Sequence, residues 1–254
     1  MIARPAVLVT GAARRIGAAI AGAFGAEGWH VVIHYGSSRD EAQALATSLP
    51  SAETVQADLS DPSAATTLIA TLADRLPDWR VLVNCASVFE LDTVAQLDKA
   101  VFDHAMQVNA ATPALLAQAF LAQARSLEGR RVICVTDQKI ANPNPDFFSY
   151  TMSKHALAAT IPMLAMAATD PRDRVYGLAP GAILASHDQQ EEETERSHRM
   201  NLLARKTDAD EIAQAALFLA QGWLASGETL FIDSGQHLLS QPRDVLFLAR
   251  EGAT

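Results

Sequence analysis

The chain has 254 residues, with 20 Lys and Arg against 29 Asp and Glu, a formal charge of −9. Hydrophobic residues make up 49 % and charged ones 19 %, which excludes a disordered chain and suffices for a large core. The negative balance argues against nucleic-acid backbones and anionic membrane surfaces as partners, and no apolar run reaches the ~18 residues of a membrane span.

Short β-branched runs alternate with longer alanine-rich stretches. Strands are predicted at 6–10, 30–35, 54–57, 80–85, 131–136, 174–178 and 229–232, and helices at 14–27, 40–48, 62–75, 99–125, 149–168 and 209–220. The strands read as apolar throughout, as parallel strands buried on both faces do. The pattern predicts an α/β fold with a Rossmann-type, doubly wound parallel sheet of about seven strands and helices on both faces. No linker, repeat or composition break interrupts it, so residues 1–254 read as one domain. The start runs straight into the first strand without a signal-peptide pattern, and Cys85 and Cys134 both fall in apolar runs. Free thiols in a reducing, cytoplasmic setting are expected.

The first strand leads through Thr10-Gly11-Ala12-Ala13-Arg14-Arg15-Ile16-Gly17 into a helix. Gly11 can take positive φ and offers no Cβ to obstruct a phosphate, while Gly17 lets the helix approach the sheet closely. The N–H groups and dipole at the helix start then face a pyrophosphate. The second strand ends His34-Tyr35-Gly36-Ser37-Ser38-Arg39. No acidic residue stands there to accept from a ribose 2′-hydroxyl. Ser37, Ser38 and Arg39, with Arg14 nearby, suit a 2′-phosphate, so NADP(H) is expected over NAD. The plainer reading of Arg39 is a solvated residue near a helix start.

Farther along, 142–146 is a turn cluster before a helix that carries Tyr150-Thr151-Met152-Ser153-Lys154. A phenol and an ammonium four residues apart share one helical face. A free Tyr titrates near ~10, and a neighbouring cation favours the phenolate, moving it toward a range useful for proton transfer. Pro162 should remove one backbone hydrogen bond from that helix and bend it. The polar stretch 186–200, with Glu191, Glu192, Glu193 and Glu195, reads either as a solvated helix face or as a lid over ligand bound at the strand ends.

Other pieces complete a series: Asp58 after the third strand, Asn84-Cys85-Ala86-Ser87 after the fourth, Asn109 in the next helix, Pro180-Gly181 after the sixth, and Asp233-Ser234-Gly235 near the end. In this order and spacing the chain resembles the short-chain dehydrogenases/reductases over nearly its whole length. The resemblance implies Tyr150 as general acid/base, Lys154 as the residue that binds the nicotinamide ribose and tunes Tyr150, Asn109 as holder of a relay water, and Asp58 as an adenine contact. The implied cofactor-binding set is Gly11, Arg14, Arg15, Ile16, Gly17, His34, Tyr35, Ser37, Ser38, Arg39, Asp58, Leu59, Asn84, Ala86, Ser87, Tyr150, Lys154, Pro180, Gly181 and Ile183. It also implies a homotetramer, built on the long helices 99–125 and 149–168 and the C-terminal edge.

The departures narrow the resemblance. Arg15 stands where the family usually has a third glycine, Asn84-Cys85-Ala86-Ser87 where it has Asn-Asn-Ala-Gly, and Asp137, thirteen residues before Tyr150, where it has Ser. All three, with Phe89 and His34-Tyr35, resemble the pteridine reductases and the related bacterial dihydromonapterin reductases. The Arg that pteridine reductases place two residues after the Tyr35 position is Ser37 here, so Arg39 or Arg14 must supply the phosphate contact. The chemistry is consistent with a pterin. Phe89 can stack on a flat ring, Arg15 can reach a carbonyl edge, and Asp137 beside Tyr150 suits ring nitrogens and proton delivery to a C=N bond. With Ser87 these form the expected substrate set. Ordinary core packing is the other reading of Phe89, and a loop cap that of Asp137.

The expectation is an NADPH-dependent reductase of a pterin, dihydropterin or similar heterocycle, with no metal site. The alternatives are a carbonyl reductase or alcohol dehydrogenase of the same fold, and an NADP-sensing binding protein without turnover. The tail 240–254, with Val245-Leu246-Phe247-Leu248-Ala249-Arg250, extends past the family's usual end and either lies on a neighbouring subunit or frays.

Overall fold

The computed structural model describes residues 4–183 and 189–251. In chain order its elements are β1 (Ala6–Val9), α1 (Arg15–Ala26), β2 (His30–Tyr35), α2 (Arg39–Ser48), β3 (Ala52–Gln56), α3 (Pro62–Arg75), β4 (Trp79–Asn84), α4 (Lys99–Met106), α5 (Thr112–Gln123), β5 (Arg131–Val135), α6 (Phe148–Ala167), β6 (Arg174–Pro180), α7 (Glu191–Ser197), α8 (Ala209–Ala220), β7 (Thr229–Ile232) and α9 (Val245–Glu251). Seven parallel strands form one sheet in the order β3-β2-β1-β4-β5-β6-β7.

Alternate residues of the central strands feed two cores, because successive side chains point to opposite faces. Val7, Val9, Val31, Ile33, Val81 and Val83 meet Ile20 and Phe24 of α1 and Ile212 and Leu219 of α8 on one face. Leu8, Val32, Leu82 and Val132 meet Leu72 of α3, Phe120 of α5 and Ile161 of α6 on the other. That double burial explains the continuous apolar runs. Sequence-local caps start several helices: Asp61 accepts the Ser63 N–H at 2.8 Å before Pro62 opens α3, and Asp208 and Glu211 form a capping box on α8.

Three elements differ from expectation: β3, the helix over 99–125 and the tail. β3 begins at Ala52 and is polar and half-exposed, since an edge strand has one neighbour and less to bury. The helix predicted over 99–125 is broken: α4 passes through a π-turn, Gln107–Ala111, into α5. Pro113 lacks the N–H that an α-helix would direct at the Asn109 carbonyl, and the chain widens there. α7 occupies the acidic stretch 186–200, of which 186–188 lie outside the described residues. α9 lies in the tail and packs on its own chain rather than fraying. Its Val245, Leu246 and Ala249 are buried on their own chain, and Arg196 donates to the Ala249 carbonyl at 2.6 Å; 252–254 lie outside the described residues. α6 continues through Pro162 as one helix. Both cysteines are free. Among the described residues no helix is long and apolar enough to cross a membrane, and no cluster of His, Cys, Asp and Glu is suited to a metal.

Strand order reverses between β1 and β4, which opens a crevice at their C-terminal ends, the usual ligand position in such sheets.

Candidate active site

The crevice begins where β1 ends. Thr10 is buried, and its Oγ1 accepts the Cys85 and Ala86 N–H groups at 2.9 and 3.0 Å, pinning the turn to the exit of β4. The sequence reading placed Thr10 in the motif but not in the site, although a hydroxyl at a strand end is a signal for such a pin. Gly11 has φ +65°, and a Cβ there would lie 2.8 Å from the Ala86 Cα. A Cβ on Gly17 would lie 2.4 Å from the Gly11 carbonyl oxygen. Any larger residue at either position would push the turn apart. Arg15 holds φ +57°, the left-handed conformation that explains why glycine is usual at its position. Arg14 is mostly exposed, with Glu41 at 3.6 Å.

His34 braces the turn from within the protein. Its Nδ1 accepts the Gly11 N–H and its Nε2 donates to the Ala57 carbonyl, both at 3.1 Å. Both ring nitrogens are therefore used within the protein, and the ring braces the turn against the end of β3. Burial holds its pKa down at about 4. Burial likewise lowers His198 to about 4. The unfolded rings take a proton near pH 6.5 and the folded ones only near 4. Stability is therefore full above pH 6.5 and falls as pH drops through that window. At about pH 5 His34 alone should cost about 2 kcal/mol relative to neutral pH. Denaturant unfolding at the two pH values checks this, and His34→Gln should flatten part of the slope.

At the end of β2, Tyr35 is buried, Ser37 and Arg39 are exposed, and Ser38 stands at the N-terminus of α2 without a side-chain capping bond. Asp58 is exposed, and its Oδ1 accepts from the Ser60 hydroxyl and N–H at 2.7 and 2.9 Å, which holds its carboxyl below the usual range. Leu59 is buried, and its carbonyl accepts from Thr112. Asn84 turns its amide into the core, donating to the Pro113 carbonyl at 3.1 Å, so a ligand in the crevice would meet its backbone rather than its side chain. Gly181 and Ile183 follow Pro180 at the end of β6, where a Cβ on Gly181 would lie 2.8 Å from the Asp233 Cβ.

The reacting groups meet across β5 and α6. Tyr150 donates its hydroxyl hydrogen to Asp137 Oδ2 at 2.6 Å. The other carboxyl oxygen of Asp137 accepts the Lys139 N–H at 2.9 Å, so Asp137 is both a loop cap and the partner of the phenol. Lys154 is buried, donates to the Val135 carbonyl at 2.9 Å, and lies 5.6 Å from the Tyr150 ring centroid. The expected lowering of the phenol pKa by Lys154 is not what this arrangement gives. Burial, and then the Asp137 charge, push Tyr150 well above its ordinary value. Burial also raises Asp137. Tyr150 is thus held as a neutral hydrogen donor.

Asn109 lies in the π-turn. Its Oδ1 accepts from the Val88 N–H and the Ser87 hydroxyl at 2.8 and 3.1 Å, and its Nδ2 donates to the Val88 carbonyl and to Ser153 Oγ at 2.9 and 3.0 Å. The amide fixes the loop after β4 and has little left for a water. Phe89 is 39 % exposed, so it is not core. It stacks on Phe147, with centroids 4.1 Å apart, and meets Tyr150 edge to face at 4.6 Å. Phe147, absent from the sequence reading, has φ +53° and is buried.

A phenol, an ammonium and a glycine turn gathered at the switch point of a doubly wound sheet are the equipment of an oxidoreductase that moves a hydride with a proton. Residues 11–237 match the family model described as enoyl-(acyl carrier protein) reductase, and the chain belongs to the short-chain dehydrogenase/reductase family. Pteridine reductase 1 of Leishmania tarentolae is 30 % identical, over 92 % of this chain and 96 % of its own. The Brucella canis FolM alternative dihydrofolate reductase 1, solved with NADP, superposes with a TM-score of 0.88 at 36 % identity, over 96 % of this chain and 98 % of that one. The angucycline C-6 ketoreductase LanV, also with bound NADP, gives 0.84 at 29 % identity, over 92 % and 96 %.

Proposed function

We propose that the protein is an NADPH-dependent reductase of a pterin- or dihydropterin-like heterocycle. The observation that carries this reading is the 2.6 Å hydrogen bond from Tyr150 to Asp137. Where Ser would donate to a carbonyl oxygen turning into an alkoxide, an ionised carboxylate can only accept, and it repels a developing oxyanion. It suits the amino and N–H groups of an aminopyrimidinone. The likeness to a pteridine reductase and to an alternative dihydrofolate reductase supports the same choice. The likeness to LanV supports a second reading, a ketoreductase on this fold.

The residues at hand suit the dinucleotide. The Gly11–Gly17 turn packs tightly on Ala86 and on itself at its two glycines, and the helix start of α1 faces the same crevice, where a phosphate would meet backbone N–H groups. Ser37, Ser38 and Arg39 would hold the 2′-phosphate, Asp58 the adenine, and Lys154 the nicotinamide ribose. NADPH, when bound, supplies the hydride. Tyr150 donates its proton to the ring nitrogen of the C=N bond being reduced, Asp137 orients the phenol by accepting from it, and solvent restores the proton to the phenolate. The Asn109 carbonyl, deprived by Pro113 of its α-helical donor, is the group left to hold a relay water. We include a cytoplasmic homotetramer, built on α4–α6 and the C-terminal edge, in the proposal.

The test is oxidation of NADPH or NADH by the wild-type enzyme with dihydrobiopterin or a small ketone, followed at the nicotinamide band. The reading expects dihydrobiopterin turnover, with kcat/KM for NADPH at least about tenfold above NADH, one charged contact's worth. Ketone turnover with no pterin turnover establishes the second reading instead. No turnover with any of them points to a cofactor sensor.

A further inference from the structure

Residues 243–251 return over the site, and their fixed points lie on the elements that carry the chemistry. Lys139, two residues from Asp137, is buried, and its Nζ donates to Asp244 Oδ2 and Asn144 Oδ1, both at 2.8 Å. Arg243 Nε donates to Asp146 Oδ2 at 2.8 Å, and the Asp244 N–H reaches the same oxygen at 2.9 Å. Asp146 directly precedes Phe147. Phe247 stacks on Phe147 with centroids 6.1 Å apart and planes 28° apart, and Phe147 in turn stacks on Phe89. The Arg243 guanidinium lies 4.7 Å from the Phe247 centroid. On the other side α9 holds α7, through Arg196 to the Ala249 carbonyl and Arg250 Nε to Glu193 at 3.2 Å.

One short segment therefore ties together the Asp137 loop, the ring row beside Tyr150 and α7. Phe147 sits in a left-handed conformation that a non-glycine residue keeps only when its surroundings impose it. Asp146 on one side of it and Phe247 across its ring are such surroundings. The buried Lys139–Asp244 pair is hydrogen-bonded on the lysine side a second time, by Asn144, which fixes one register between tail and loop.

We propose that residues 243–251 are a substrate-positioning strap: Phe247, seated by the Asp244–Lys139 and Arg243–Asp146 pairs, sets the attitude of Phe147 and Phe89 and so the affinity for a flat ring, and not for the dinucleotide. The inference rests on the reading that a planar heterocycle binds beside Tyr150. Phe247 is a positioning residue, one ring removed from Phe89.

The test uses the full chain with Phe247→Ala, Phe247→Leu and Phe247→Tyr, the Leu variant serving if Ala does not fold. The strap predicts that losing the ring raises KM for dihydrobiopterin about tenfold. kcat should stay within about threefold and NADPH affinity within about twofold, and Phe247→Tyr should restore the wild-type KM. An unchanged KM, a parallel loss of NADPH affinity, or a Tyr variant no better than Ala would overturn it. If the wild type ignores dihydrobiopterin but reduces ketones, the pterin reading alone has failed. The strap is then judged on flat 1-tetralone against ethyl acetoacetate. A KM rise confined to 1-tetralone supports the strap and an equal rise overturns it. A wild type that takes none of these substrates overturns both proposals.

Discussion

Tyr150→Phe is expected to lower kcat by roughly a hundred- to ten-thousandfold, the range for loss of a positioned proton donor, with NADPH affinity nearly unchanged. The substitution removes one oxygen and leaves the ring, so the edge contact with Phe89 survives. Because Tyr150 is held protonated, what disappears is the donated hydrogen at the moment the reduced bond needs it. Asp137 also loses its partner on Oδ2 and keeps only the Lys139 N–H on Oδ1. An unpaired oxygen in that setting costs about 1–3 kcal/mol, so the variant should melt somewhat earlier than the wild type. Steady-state kinetics, NADPH titration and a melting curve on one preparation separate the two effects. A drop in kcat below tenfold would remove Tyr150 from the proton path.

Asp137→Ser carries the second large effect, and it separates the two substrate classes. Reduction of dihydrobiopterin should fall about a hundredfold in kcat/KM, since the charge-assisted contact to the ring N–H groups and the acceptor that orients Tyr150 disappear together. Ketone reduction should hold or rise, because the hydroxyl donates where the carboxylate repelled. Ser can still cap the short helical turn that Asp137 caps now, so the loop should persist. The alkaline limb of the rate profile supplies a second readout. The Asp137 charge is one of the causes that raise Tyr150, so its removal lowers the phenol pKa. Activity that needs the protonated phenol is then lost at lower pH than in the wild type. An alkaline limb that stays in place, with both substrates equally affected, would reduce Asp137 to a cap.

Much of the framework was legible in the residues because it is local or periodic. The runs Ala6–Val9 and, within β5, 132–135 are apolar on both faces, which only a buried parallel strand requires. Gly11 and Gly17 signal their backbone demands, and the Tyr150–Lys154 spacing signals a shared face. β3 misleads because an edge strand need not look like its neighbours. Breaking 99–125 depends on what Pro113 withholds from a carbonyl one turn back. What the residues could not disclose is contact across long separations. His34 to Gly11, Phe89 to Phe147 to Phe247, and Lys139 to Asp244 are tertiary pairs with no repeat to announce them. The direction of the Tyr150 shift belongs with them. A cation four residues away favours the phenolate, and the burial and the carboxylate that outweigh it are visible only once β5 and α6 are side by side.

A competition between the two substrate classes shows which one the Asp137–Tyr150 pair serves. Dihydrobiopterin and 1-tetralone at equal concentration share a limiting amount of NADPH deuterated at the transferable position of C4, and the products are weighed by mass spectrometry. The label is expected predominantly on a ring carbon of the reduced pterin. Label carried only by the alcohol from 1-tetralone would contradict the pterin reading.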